Sequence, residues 1–270
     1  MNRTYVVTGA TSGIGAATTR YLRERGARVI TSDLHEADVI ADLAAAAGRA
    51  ALVEGVTRLS GGSIDAIIAN AGGGPPQTSL QLNFFGAVAT LEGLRPLLLN
   101  SAAPRAVAVS SVASLSPIDP TLVEACLSMD EDAALAAGRA FATKIAPLDR
   151  MTEAQATQVG LALYGNAKHA LNRWCRRAAV KPEWAGAGIT LNVAAPGFID
   201  TPAASYILSD PQRSAAMHEM VPLHGAYPGR PEQMAALLAW SVSAENALVT
   251  GQVIFVDGGL ECLQRGESVW

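Results

Sequence analysis

Short runs of apolar, β-branched residues alternate along the chain with longer segments of helical periodicity. The first run, residues 5–7, precedes a helical pattern near Gly15 to Gly26, and a second run follows at 27–32. This βαβ order predicts a parallel sheet. Further runs, typical of strands covered on both faces, predict strands at 66–69, 106–110, 189–193 and 252–256. We therefore expect one doubly wound, Rossmann-type α/β domain over residues 1–270, with helices on both faces of the sheet.

One segment interrupts this alternation, because residues 115 to about 160 are helical in pattern and not strand-like. Asp119-Pro120 predicts a helix cap and first turn. Thr152, with Gln155 three residues later, predicts a second cap. We expect a helical insertion at about 115–160, ahead of a helix that begins near Tyr164.

The composition narrows the class of partner. Twenty basic against 24 acidic side chains give a net charge of -4, which provides no basic footprint for nucleic acid or an anionic membrane surface. No apolar run reaches membrane-spanning length, and the first strand pattern begins too early to leave room for a signal peptide. Three widely spaced cysteines and four histidines without ligand spacing argue against a disulfide framework and a metal site. We expect a cytoplasmic protein that acts on a small molecule.

A glycine-rich segment at residues 8–15, TGATSGIG, lies where the first strand leads into the first helix. Glycines allow close backbone approach, and a helix N-terminus presents free N–H groups and a positive dipole end to a pyrophosphate. By itself such a turn is equally compatible with a simple loop. The strand before it and the helix after it favour a dinucleotide site, with contacts from Gly9, Thr11, Ser12, Gly13 and Ile14.

Asp33 closes the second predicted strand, near the roughly 20-residue offset at which a carboxylate binds a ribose 2′-hydroxyl. A carboxylate there repels the 2′-phosphate of NADP, and neither Ser12 nor Leu34 supplies a basic side chain to neutralise it. NAD is therefore the predicted cofactor. The alternative is that Asp33 is only a solvated acid at the end of a strand.

Tyr164 and Lys168 are four residues apart, so on a helix they share a face. A free phenol has a pKa of about 10, and a nearby cation favours the phenolate. We predict that Lys168 lowers the pKa of Tyr164, with oxidised nicotinamide adding a second positive charge. Alone, such a pair is most often an ordinary surface feature.

Five motifs together resemble the short-chain dehydrogenase/reductase family, in order and over nearly the whole chain: the glycine turn, Asn70-Ala71-Gly72, Ser110-Ser111, Tyr164 with Lys168, and Pro196-Gly197. Within that family the chain is most similar to the bacterial 3α-hydroxysteroid dehydrogenase/carbonyl reductase type, at residues 40–43, 83–87, 110–114 and 257–259 and in its long insertion.

The resemblance implies four catalytic residues. Ser111 would orient the substrate oxygen, Tyr164 would transfer its proton, Lys168 would also hold the nicotinamide ribose, and Asn83 would help to place a water for proton relay. Because successive strand residues point to opposite sides, only one of Ser110 and Ser111 should face the substrate, and the family pattern favours Ser111. Without the family, Asn83 would be an ordinary polar residue of a helix.

The resemblance also implies the remaining cofactor contacts. Residues 70–72 would form the floor beneath the adenosine ribose, and the segment after the sixth strand would hold the nicotinamide amide through the Ile199 backbone and the Thr201 hydroxyl. Asp42 would accept from the adenine amino group or, equally, cap a helix. The set is Asp42, Leu43, Asn70, Ala71, Gly72, Pro196, Gly197, Ile199 and Thr201, with Tyr164 and Lys168.

Residues 201–231 lie where the family places a mobile substrate lid. Six residues there could wall an apolar pocket or simply pack a helix on the core: Tyr206, Ile207, Leu208, Met217, Met220 and Val221.

The predicted function is NAD(H)-dependent interconversion of a secondary alcohol and a ketone, on a hydroxysteroid or similar bulky alicyclic substrate. A terpene or other cyclic secondary alcohol is the alternative, and an NAD-sensing scaffold is the non-enzyme alternative. An acyl-carrier reductase is disfavoured by Asp33. The insertion would shape the substrate pocket or obstruct a tetramer surface, so we expect a homo-oligomer, a dimer in preference to a tetramer.

Overall fold

The computed structural model of the chain describes residues 3–267. Within them, seven parallel strands form one sheet in the order β3-β2-β1-β4-β5-β6-β7. The strands are β1 Thr4–Thr8, β2 Arg28–Asp33, β3 Val39–Ile40, β4 Ala66–Ala69, β5 Arg105–Val109, β6 Thr190–Pro196 and β7 Val253–Val256. The strand order reverses between β1 and β4, and open α/β sheets bind ligands beyond the carboxyl ends of strands at such a point.

The helices are α1 Gly13–Arg23, α2 Ala46–Ser60, α3 Ala87–Leu94, α4 Pro120–Leu127, α5 Glu131–Ile145, α6 Glu153–Ala178, α7 Ser205–Leu208, α8 Pro211–Glu219, α9 Pro231–Ser241 and α10 Leu260–Arg265. Alternation along the strands sends their apolar side chains into two separate layers. Val6 belongs to the same part of the core as Leu171 of α6, whereas Val7 belongs with Met234 of α9 to a second, separate part. The predicted Rossmann-type fold is therefore confirmed, including helices on both faces.

The sequence analysis predicted neither strand β3 nor a π-helical turn that matters for the site. Strand β3 is only two residues long, so it shows no alternation to read, and it pairs with the end of β2. Before α3, the chain forms a π-helical turn over Gln81–Gly86, whose wider backbone has no signature in the hydrophobic pattern. This turn carries Asn83.

The region before Tyr164 contains the predicted helices, α4 and α5, but its end differs from the prediction. Asp119 caps α4 as predicted, accepting from the N–H groups of Thr121 (2.9 Å) and Leu122 (3.2 Å). Thr152 and Gln155 form the predicted capping box, yet it begins α6 itself. The helix that carries Tyr164 thus starts about three turns earlier than expected, and the last residues of the expected insertion belong to it.

The insertion packs against α6. Leu122 and Cys126 of α4 are fully buried, and Glu124 pairs with Arg173 of α6 at 2.7 Å. None of the helices within residues 3–267 combines the length and apolar character that a membrane span requires.

Candidate active site

The glycine turn between β1 and α1 closes so tightly that side chains are excluded. Gly9 has φ +64°, and a Cβ on it would lie 2.9 Å from the Cα of Ala71. A Cβ on Gly15 would collide with the carbonyl oxygen of Gly9. The backbone of this turn is therefore open to close approach by a ligand, which fits the diphosphate of a dinucleotide at the start of α1.

The segment after β4 is bonded directly to this turn. The side-chain amide of Asn70 donates to the carbonyls of Thr8 (3.0 Å) and Gly9 (3.1 Å). In return, the hydroxyl of Thr8 accepts from the N–H groups of Asn70 and Ala71, both at 3.1 Å. The structure thus brings the predicted ribose floor, residues 70–72, against the glycine turn.

Asp33 lies at the carboxyl end of β2, beside the same turn. Its Oδ2 accepts from the N–H (2.9 Å) and hydroxyl (2.7 Å) of Thr11, and its Oδ1 accepts from the N–H of Leu34 (2.7 Å). A carboxylate has about four acceptor positions, so further capacity exists for a hydroxyl donor. Asp33 is therefore more than a solvated acid, because it orders the turn.

Neither alternative for Asp42 is shown by the structure, because the N-cap of α2 is Ala45 and no side chain caps this helix. The Oδ1 of Asp42 accepts from the N–H of Ala44 at 2.9 Å, in the turn that leads into α2. The side chain is exposed, while the neighbouring Leu43 is buried in the core. Contact with an adenine stays a prediction for both residues.

Ser111, Tyr164 and Lys168 come together at the carboxyl end of β5. Lys168 Nζ lies 5.7 Å from the centre of the Tyr164 ring and donates to the carbonyl of Val109 at 2.8 Å. Ser111 hydrogen-bonds the Tyr164 phenol and also caps the short helix at Val112–Leu115. Ser110 is buried, and its hydroxyl lies 3.4 Å from the carbonyl of Lys168, so it takes part in hydrogen bonding at the end of the strand.

The expected lowering of the Tyr164 pKa is wrong. Burial raises the pKa of Tyr164, the hydrogen bond from Ser111 opposes this rise, and Tyr206 of the lid region adds to it. Burial also lowers the pKa of Lys168 to about 8, because its ammonium group is removed from water. The spacing predicted correctly that an ammonium group lies near Tyr164, but burial is the largest influence on the pKa of this phenol.

Asn83 lies beside this cluster, and its side-chain amide is hydrogen-bonded to backbone groups. Its Oδ1 accepts from the N–H of Gly73 (2.8 Å), and its Nδ2 donates to the carbonyls of Gly73 and Ser79, both at 2.9 Å. A Cβ on Gly72 would lie 3.0 Å from Asn83 Oδ1 and 3.1 Å from Lys168 Nζ. Asn83 therefore holds the loop after β4 close to Lys168, and its part in a water relay stays a prediction.

The segment after β6 reaches the glycine turn from the other side. Gly197 packs against Asp257, where a Cβ would lie 2.8 Å from the Asp257 Cα. The Thr201 methyl lies 3.0 Å from the position of a Cβ on Gly13. The wall formed by Pro196, Gly197, Ile199 and Thr201 thus meets the turn at Thr201, and its contact with a nicotinamide stays a prediction.

The lid region, residues 201–231, contains α7 and α8. An open cleft of about 530 Å³ lies at the start of this region, and its lining residues are Asp200, Thr201, Pro202, Ser205, Leu208 and Ser209. Tyr206 is 41% exposed and Val221 is buried, while Ile207, Leu208, Met217 and Met220 are half-buried. Most of these apolar side chains are therefore not absorbed into the core, which leaves them available to a ligand.

Two further residues with structural roles, on α6 and α2, were not identified from the sequence. Asn166 lies on α6 between Tyr164 and Lys168, is fully buried, and accepts from the N–H of Asp119 at 2.8 Å. Its inward position could have been read from the helical period. Arg49 of α2 offered no signal, since its partner Glu131 is distant in sequence. Among residues 3–267, no group of three or more His, Cys, Asp or Glu side chains is placed to hold a metal ion.

The fold and this site define a Rossmann-type dinucleotide-binding protein with a Ser–Tyr–Lys cluster. A family model described as short chain dehydrogenase matches residues 3–121, and one described as Enoyl-(Acyl carrier protein) reductase matches residues 134–261. The chain belongs to the short-chain dehydrogenase/reductase family, a family of oxidoreductases that act on CH–OH groups with a nicotinamide cofactor.

Two relatives are similar to almost the whole chain. The 3-alpha-hydroxysteroid dehydrogenase/carbonyl reductase of Comamonas testosteroni is 32% identical over 96% of this chain and 97% of its own length. The cis-4-hydroxycyclohexanecarboxylate dehydrogenase of Sinomonas cyclohexanicum is 31% identical, covering 95% and 96%. The resemblance to the hydroxysteroid dehydrogenase/carbonyl reductase type is thus confirmed.

Two solved structures are similar to this chain over almost its whole length. The 3-alpha-hydroxysteroid dehydrogenase of Pseudomonas sp. B-0831, complexed with NADH, has a TM-score of 0.81 at 32% identity and covers 98% of this chain and 99% of its own. The RhlG/NADP active-site complex of Pseudomonas aeruginosa has a TM-score of 0.70 at 28% identity, with 96% of each chain covered.

The buried Lys168 gives a stability prediction. Its pKa is about 8 in the folded protein against 10.5 for an ordinary lysine. Between these values the unfolded chain binds a proton that the folded protein has released, so stability rises with pH there. Urea unfolding from about pH 7 to pH 11 should show the wild type gaining about 3 kcal/mol relative to Lys168→Met across this window. Parallel pH profiles for the two proteins would contradict the lowered pKa.

Proposed function

We propose that the protein is an NAD(H)-dependent oxidoreductase that interconverts a secondary alcohol and a ketone, with Tyr164 as the proton-transfer residue. One observation carries the proposal: Ser111, Tyr164 and Lys168 form a single cluster at the carboxyl edge of the sheet. The glycine turn lies at that same edge, at the end of β1. A substrate bound at this edge can therefore reach both the proton-transfer residue and the dinucleotide.

Each side chain of the cluster has a separate task. Ser111 donates a hydrogen bond to the substrate oxygen and fixes its position, while Tyr164 donates a proton to a carbonyl oxygen or takes one from a hydroxyl. A bound nicotinamide ring supplies or accepts the hydride. A raised pKa keeps the proton on the Tyr164 phenol at neutral pH, which suits carbonyl reduction. In the opposite direction, the Lys168 ammonium stabilises the phenolate.

Cofactor binding is distributed over three segments and the single residue Asp33. N–H groups of the turn at residues 11–14 bind the diphosphate, and residues 70–72 support the adenosine ribose. Asp33 binds the ribose 2′-hydroxyl and rejects a 2′-phosphate, and the wall at 196–201 holds the nicotinamide. NAD is favoured over NADP on this ground, and the relative complexed with NADH supports it.

The proposed substrate is a hydroxysteroid or a similarly bulky alicyclic alcohol or ketone. The partly exposed apolar side chains of the lid region support a large, apolar ligand. A smaller cyclic secondary alcohol, such as a terpene alcohol, is the second candidate, favoured by the relative that acts on a hydroxycyclohexanecarboxylate. Nicotinamide absorbance with a panel of steroidal, terpenoid and monocyclic alcohols and ketones separates these classes.

Two further proposals concern the state of the protein. We place it in the cytoplasm, where its three free thiols would stay reduced. We also propose a homodimer, because α4 and α5 cover part of the α6 surface that a tetramer would need; sedimentation showing a stable tetramer would contradict this. An NAD-sensing scaffold without turnover is disfavoured, because it has no use for an intact Ser111, Tyr164 and Lys168 cluster.

Replacing Tyr164 by Phe should abolish turnover and spare cofactor binding. The change removes only the transferable proton, so kcat should fall about 10²–10⁴-fold, while NADH affinity should stay within about twofold of the wild type. Steady-state kinetics and fluorescence titration with NADH measure the two effects. Tyr21→Phe on α1, whose ring lies under Arg25, is the matched control. Normal turnover by Tyr164→Phe would remove this residue from the mechanism.

Replacing Asp33 by Ala should relax the discrimination against NADP. Loss of the carboxylate removes both the partner of the 2′-hydroxyl and the repulsion of a 2′-phosphate, so the kcat/KM ratio of NAD to NADP should fall about tenfold or more. Parallel assays with both cofactors measure the ratio. Glu36→Gln, which neutralises an exposed acid nearby in the same loop, serves as control. An unchanged ratio in Asp33→Ala would contradict the assignment.

A further inference from the structure

The insertion is tied to the cofactor side of the sheet by one ion pair. Glu131 is the first residue of α5, and its carboxylate binds the Arg49 guanidinium of α2 in a two-pronged arrangement at 2.6 and 3.0 Å. The Arg49 side chain is only 13% exposed and that of Glu131 33%. Planar, bidentate ion pairs that are partly buried are stronger and more directional than ordinary ion pairs on the surface.

Arg49 does more than bind Glu131. Its Nε donates to the carbonyl of Leu43 at 2.9 Å, and its Nη2 donates to the carbonyl of Ala44 at 3.0 Å. The guanidinium also lies 5.9 Å from the centre of the Phe85 ring in the π-helical turn. One side chain therefore fixes the turn at residues 42–44 and the start of α5 at the same time.

The turn at 42–44 has little freedom of its own. A Cβ on Gly48 would collide with the carbonyl of Asp42, and a Cβ on Gly86 would lie 2.9 Å from the carbonyl of Leu43. The turn thus fits closely against α2 and the π-helical turn. Since close-packed elements transmit small displacements, a shift of Arg49 moves the turn as well.

We propose that Arg49 and Glu131 are positioning residues through which the insertion sets the adenine half of the cofactor site. The inference rests on the proposed function and on the predicted contact of the adenine with Asp42 and Leu43. The insertion then has a role in cofactor binding, which is separate from any role at the substrate pocket or at the subunit surface. Glu131 orients the guanidinium, and the guanidinium holds the Leu43 and Ala44 carbonyls where the turn meets the adenine.

The test separates the two halves of the cofactor. Glu131→Gln keeps the shape of the side chain and removes its charge, so Arg49 loses its fixed orientation. Affinities for NADH, for ADP-ribose and for reduced nicotinamide mononucleotide, which lacks the adenosine, are measured by fluorescence or calorimetry. NADH and ADP-ribose should bind about fivefold more weakly, whereas the mononucleotide should bind as it does to the wild type.

Three further variants sharpen this result. Lys144→Met breaks the ion pair with Asp119 (2.8 Å) at the opposite end of α5 and should leave all three affinities unchanged. Arg49→Lys keeps the charge but not the planar fork, and should weaken NADH as Glu131→Gln does. The double variant Arg49→Lys/Glu131→Gln should be no weaker than the worse single variant, because both changes cut the same link.

Unchanged NADH affinity in Glu131→Gln, or an equal loss for NADH and the mononucleotide, would overturn the inference and leave the pair with a structural role only. Unfolding midpoints recorded for each variant show whether a loss of affinity follows from a loss of fold. A wild-type protein that binds neither NADH nor ADP-ribose would instead refute the proposed function, and the inference with it.

Discussion

The site depends on the burial of one positive charge. The Lys168 side chain is 2% exposed and donates to the carbonyl of Val109, the last residue of β5. Desolvation of an ammonium group costs free energy, so the fold must hold partners close to it. That bond fixes α6 against the carboxyl end of β5. Ser111 follows Val109 by two residues and Tyr164 precedes Lys168 by one helical turn, so the same bond brings phenol and hydroxyl together.

Much of the fold was readable from the sequence because buried parallel strands are apolar on both faces. Six of the strands, residues 66–69 among them, stood out as continuous apolar runs, whereas β3 is too short to show any period. The start of α6 was misplaced although its capping box was recognised, because a cap marks where a helix begins and not which later residue that helix carries. Helix length depends on packing, here against α4 and α5.

The site residues were located by motif and resemblance, but their environments were not. Spacing placed Lys168 beside Tyr164, yet the direction of the Tyr164 pKa follows from burial, which is a property of the assembled site. The same holds for Asp42, whose carboxylate binds Ala44 in the following turn. Arg49 and Glu131 could not be paired from the sequence, since only the packing of the insertion onto α2 brings them into contact.

Asp33 joins two properties that a protein engineer would wish to alter separately. Its carboxylate is proposed to select the dinucleotide, and it also accepts both the N–H and the hydroxyl of Thr11. Any exchange that admits a phosphorylated ribose therefore removes an anchor of the loop that receives the diphosphate. A change of coenzyme preference made at Asp33 would therefore also loosen Thr11, and a second substitution at Thr11 is the natural means to restore order to this loop.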